Sequence, residues 1–169
     1  MEKAIAAIED LVREAILDGY AVAGGMAAIF YVEPVLTYDL DVIVLLPTST
    51  GVLVSLERIY RRLKEMGHIP DAEHVVIGGI PVQFLPAYNP LVEEAAHRCQ
   101  VLPFGNTTVR VVSAEHLLAI MVQTGRPKDL ARVELFLAEA DFDRLKLMDI
   151  LSRHGLLEKW GKFSRKEDS

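Results

Sequence analysis

The chain has 169 residues, of which 51% are hydrophobic and 25% charged, a balance that excludes a disordered chain. Surface scaling gives about 8,000 Å² exposed when folded against about 27,000 Å² unfolded, enough for one core. Eighteen Lys and Arg against 24 Asp and Glu leave a net charge of −6, so no global positive field draws the chain onto nucleic acid.

A single cysteine, Cys99, excludes an intrachain disulfide and a cysteine zinc cage, and reads as a small buried hydrophobe. The five histidines lack HxxxH or HxH spacing, which argues against zinc. Charged residues interrupt every apolar run well short of the roughly 20 a bilayer needs, and Met1-Glu2-Lys3 opens an amphipathic pattern, not a signal peptide. The expectation is a soluble cytoplasmic protein with no membrane contact.

Apolar residues at helical spacing predict a helix over Glu2–Asp18, with Gly19 as its C-terminal cap. Tyr20–Ala23 follows as a short buried strand, then Gly24-Gly25, then a mainly apolar helix over Met26–Val32 that stops before Pro34. Thr37–Leu46 is β-rich, with Asp39 and Asp41 on one face and Leu40, Val42 and Val44 on the other. Val52–Met66 predicts a helix with a basic outer face, ended by Gly67. A hairpin pairs Glu73–Ile77 with Ile80–Leu85 through Gly78-Gly79. After a short helix over Leu91–His97, a second hairpin joins Val101–Phe104 to Thr108–Val112 through Gly105-Asn106. Ser113 then caps a helix running to Gln123, and two more follow at Lys128–Ala140 and Phe142–Arg153.

This order predicts an α/β (α+β) fold, a small mixed β-sheet flanked by helices with a helical C-terminal subdomain. The domain reading is 1–112 for the α/β part, 113–163 for the helical subdomain and 164–169 for a polar tail.

The informative string is Ala23-Gly24-Gly25, thirteen residues, then Asp39-Leu40-Asp41-Val42. Paired glycines after a strand let backbone approach a phosphate, and the N–H groups of a helix start favour its charge. Residues two apart on a strand face one side, so Asp39 and Asp41 project into one volume, as oxygen ligands of Mg²⁺ must. The competing readings are a plain tight turn and two solvated acids at a strand end. Arg126 and Lys128, beside a Pro turn at a helix start, read either as a solvated loop, with Asp129 a first-turn dipole partner, or as an anion clamp for triphosphate oxygens.

Hydrophobic-Gly-Gly, spacer, Asp-hydrophobic-Asp-hydrophobic resembles the nucleotidyltransferase superfamily that includes DNA polymerase β. The resemblance covers about Glu2–Leu85. A weaker echo in Leu118–Met121 and Arg126–Asp129 looks like abortive-infection-type members. The resemblance implies a polymerase-β-like fold and Mg²⁺-dependent transfer of a nucleotidyl group from a nucleoside triphosphate to a hydroxyl acceptor. Asp39 and Asp41 would be the catalytic metal ligands, and Gly24, Gly25, Arg126 and Lys128 would bind phosphate. It also implies two Mg²⁺ ions held with a third carboxylate, but Gln83 stands at that position, leaving one ion and a degenerate site, unless Asp71 or Glu73 substitutes. The pattern further places a lysine near Met121, an acid near Arg132 and a basic residue before the acid pair, where this chain has Val35 and Leu36. The alternative function is an inactive nucleotide-binding or protein-binding module of a toxin–antitoxin type system. A protein partner or an RNA acceptor is compatible with the resemblance, and the oligomeric state stays open.

Overall fold

The computed structural model describes residues 1–33, 35–48 and 51–164. In chain order the elements are α1 (Glu2–Arg13), β1 (Gly19–Val22), α2 (Gly24–Ala28), β2 (Leu40–Leu45), α3 (Val52–Glu65), β3 (Ile69–Asp71), β4 (His74–Ile77) and β5 (Ile80–Pro86). Then come α4 (Pro90–His97), β6 (Gln100–Phe104), β7 (Thr107–Val111), α5 (Ala114–Thr124), α6 (Pro127–Glu139), α7 (Arg144–Arg153) and α8 (Leu157–Ser164). The strands form one mixed sheet in the order β3-β4-β5-β2-β1-β7-β6, so the expected α/β architecture is present.

The centre of the sheet positions the site. β1 pairs antiparallel with β2, Val22 opposite Val42, and one step on the Ala23 N–H donates to the Asp41 carbonyl at 2.9 Å. The glycines after β1 therefore fall beside the acids at the start of β2. β2 pairs parallel with β5, which sets Asp41 opposite Gln83. The turn between β4 and β5 uses Gly78 and Gly79 at φ +59° and +84°, the two left-handed positions that a tight hairpin needs.

Four expectations change. α1 ends at Arg13 rather than Asp18, and Gly19 belongs to β1. Ala15 takes φ +53°, with Ala15 N–H bonded to Val12 O and Ile16 N–H to Leu11 O. That left-handed cap is usually made by glycine, and here it turns Ile16 and Leu17 into the core. α2 starts at the glycines and spans five residues, after which turns bury Val32 and bring the Tyr31 hydroxyl to donate to Val112 O at 2.9 Å. β2 is shorter than expected because residues 37–39 lie beyond the paired stretch of β1 and β5, so Asp39 sits one residue ahead of the strand. β3 and α8 were not anticipated. The polar tail expected at 164–169 lies outside the described residues, except Ser164 at the end of α8.

The buried core runs without a break from the sheet (Val22, Val42, Val111) into α5, α6 and α7 (Leu118, Phe136, Ile150). α4 lies across β1 and β2 and carries α5 against its other side. One carboxylate fastens these helices. Glu94 on α4 accepts from Arg153 Nη1 and Nη2 at 2.6 and 2.8 Å, and lies 2.9 Å from His154 Nε2 and 3.3 Å from His116 Nε2. The Arg153 hydrogen bonds hold its carboxyl far below the usual range. His116 is 1% exposed, and burial keeps its ring neutral by pushing its pKa down. A proton on Nε2 then serves Glu94 while Nδ1 accepts from the Ser113 hydroxyl at 2.9 Å.

Two predictions follow from this packing. Ala15→Gly, which would cost about 1 kcal/mol inside a helix, should instead raise thermal stability by up to about 1 kcal/mol by relieving the left-handed alanine. Glu94→Gln should cost roughly 2–3 kcal/mol, the worth of hydrogen bonds to a charged group. Both groups bind protons more readily when unfolded, so stability is full above the ordinary His value of 6.5 and falls with acid, first through His116 and then, below 4.5, through Glu94. Thermal melts from pH 8 to 4 should show that order, with the lower step blunted in Glu94→Gln.

Candidate active site

Asp39, Asp41 and Gln83 line one cleft with Gly24, and Arg126, Lys128, Asp129 and Arg132 from the α5–α6 region line it as well. Its volume is about 280 Å³, near the lower end of small-molecule sites at roughly 300–1,000 Å³.

Gly24 has φ +60° and stands so close to Asp41 that a Cβ would strike the carboxylate, with Cγ only 2.9 Å away. A Cβ on Gly25 would lie 2.7 Å from Thr37 Oγ1 and 3.0 Å from Arg132 Nη2. Both glycines are thus required by close approach. Gly24 forms the floor of the cleft, and Gly25 lies buried behind it. With only five residues, α2 has little dipole to offer an anion, which weakens that part of the sequence argument.

The two acids are held differently. Thr37 Oγ1 donates to Asp39 Oδ1 at 3.0 Å, fixing that carboxylate. The Asp41 carboxyl is pushed up, first by burial and then by the like charge of Asp39, while Lys128, Arg126 and Arg132 pull it back. Two anions and three cations thus share one cleft.

On the cationic wall, Asp129 is only 2% exposed and accepts from Arg126 Nε at 2.6 Å and from Thr124 Oγ1 at 2.8 Å. It is no solvated dipole partner but the brace that fixes Arg126 at the cleft wall. Arg132 was missed as a wall residue by sequence reasoning, although its i,i+4 spacing from Lys128 places both on one face of α6. Tyr88 and Thr124 also line the cleft, and no sequence signal marked them.

Gln83 lies beside Asp41 in the ladder, and its Nε2 donates to Glu73 Oε2 at 3.4 Å. Glu73 and Asp71 are not among the residues lining the cleft. Asp39, Asp41 and Gln83 Oε1 offer the oxygen donors that hard divalent cations take. Among the described residues no group of three or more His, Cys, Asp or Glu side chains is arranged to hold a metal ion.

No protein-family model matches the chain, and no curated protein matches it. Solved structures do. An antigenic nucleotidyltransferase-like protein from Paracoccidioides brasiliensis superposes with a TM-score of 0.59 at 14% identity, over 96% of this chain and 89% of that one. The fold is nucleotidyltransferase-like. ANT(2″)-Ia in complex with adenylyl-2″-tobramycin matches at TM-score 0.52 and 16% identity, over 94% of this chain and 95% of that one. The solution structure of the antibiotic-resistance factor ANT(2″)-Ia matches at 0.50 and 15%, over 97% and 95%. None of the described helices is long and apolar enough to cross a membrane.

Asp41 gives a paired test. Its folded pKa is raised, so the ionised form opposes folding and the penalty is complete above that pKa. Asp41→Asn should therefore raise the melting temperature at pH 7 in metal-free buffer, while abolishing any rise that added Mg²⁺ gives the wild type. A lower melting temperature for the variant would refute the electrostatic account of the site.

Proposed function

We propose that the chain transfers a nucleotidyl group from a nucleoside triphosphate to a hydroxyl acceptor. The observation that carries this reading is that Asp39 and Asp41 line one cleft together with Gly24, Arg126, Lys128 and Arg132.

Asp39, Asp41 and Gln83 Oε1 fit one Mg²⁺, because two close carboxylates repel one another until a cation lies between them. Bound there, the ion would neutralise charge on the phosphate and polarise it toward attack. Thr37 keeps the Asp39 carboxylate oriented. Gly24, lacking a side chain, lets a phosphate reach the acids. Arg126, fixed by Asp129, would meet triphosphate oxygens and stabilise the charge that passes to departing pyrophosphate, with Lys128 and Arg132 adding positive charge to the same cleft. Gln83 brings no charge for a second ion and takes no proton, so transfer is slow relative to binding.

Calorimetric titration of the four common triphosphates, with and without Mg²⁺, tests binding. Affinity should require Mg²⁺ and fall roughly tenfold or more in Asp41→Asn, where one ligand charge is lost. Transfer is then read with labelled triphosphate against small hydroxyl compounds, RNA ends and proteins. Gln83→Glu should raise the rate by restoring the third charge. Mg²⁺-dependent binding with no transfer by either protein would replace this reading with a binding module.

A further inference from the structure

A second groove opens beside the active-site cleft, and the two share Asp39, Lys128 and Arg132 as a common wall. Displacement at phosphorus is in line, so the attacking oxygen enters opposite the leaving group. With the triphosphate in the cleft, the groove across that wall is where an acceptor hydroxyl has room to enter.

Two hydroxyls already line that groove, those of Thr37 and Tyr38. Tyr38 immediately precedes Asp39, is 81% exposed and faces the groove with His74 and Pro81. Its hydroxyl makes no hydrogen bond to any described residue, whereas that of the neighbouring Thr37 is committed to Asp39. A free phenol one residue from Asp39, in a groove that shares Asp39 with the cleft, is a tethered acceptor, and tethering replaces a bimolecular encounter with an intramolecular one.

Resting on the transferase reading above, we propose that Tyr38 is an internal acceptor and that the chain nucleotidylates itself there. The phenolic oxygen forms a bond to the α-phosphorus of the bound triphosphate. The bond from that phosphorus to the bridging oxygen breaks, pyrophosphate leaves, and the phenolic proton passes to solvent through the open groove. The product is a tyrosyl phosphodiester, with no change of oxidation state.

The test incubates the full chain with Mg²⁺ and each common triphosphate in turn. Intact mass should rise by one nucleoside monophosphate with at least one of them, and peptide mapping should place it on Tyr38. The rate constant should not change on tenfold dilution of the protein. Tyr38→Phe, whose ring is exposed and whose melting temperature should match the wild type, should carry no adduct. Apart from turnover, a non-transferable triphosphate analogue with Mg²⁺ should slow nitration of Tyr38 several-fold by holding the ring against the bound nucleotide. A wild-type chain that transfers to an added acceptor yet gains no adduct overturns the proposal and leaves the transferase reading standing. An adduct that persists in Tyr38→Phe, or nitration indifferent to the analogue, overturns it as well. Absence of Mg²⁺-dependent triphosphate affinity in calorimetry removes both readings together.

Discussion

Two carboxylates held close together, one of them largely buried, impose the electrostatic demand that the rest of the cleft answers. Asp41 is disfavoured as an anion by burial and by Asp39. A protein tolerates such a pair only where counter-charge is near. That counter-charge comes from Arg126, Lys128 and Arg132, distant from the acids in sequence and lining the same cleft in space. The isolated chain is thus stressed at this point, and a divalent cation with its polyanionic partner would relieve both sides at once.

Keeping the cations in place is a packing problem. α6 follows α5 through the left-handed Gly125, and α5 is pinned to α4 and α7 through the buried His116 and the Glu94 cluster. Asp129 and Thr124 then brace Arg126 locally. The polar network around Glu94 never touches the cleft, yet it sets the angle of the helices that wall it. Its members are fully paired, the condition under which buried polar groups fix one arrangement rather than destabilise several.

The fold neighbours share only 14–16% of residues with this chain while covering nearly all of it. The fold persists without residue identity because many hydrophobic combinations fill the same core. Chemistry is less forgiving than packing. The amide of Gln83 pairs beside Asp41 in the sheet without the charge an acid would bring there.

The sequence by itself determined the strand, glycine turn and acid pair, the two hairpins, the Ser113 cap and the mixed α/β class. These rest on local rules: turn chemistry, capping and periodicity act over a few residues. Gln83 was reached only through the resemblance to the nucleotidyltransferase superfamily, which implies a third acid on a neighbouring strand. Tertiary structure alone decided where α1 stops, since the left-handed Ala15 is held by burial of Ile16 and Leu17 rather than by its own preference. It decided the role of Asp129, whose burial no helix pattern foretells. It placed Arg132 against Gly25 and brought Tyr38 into a groove that shares a wall with the cleft. Those contacts join segments about a hundred residues apart, and only the closed sheet with helices packed across it sets such distances.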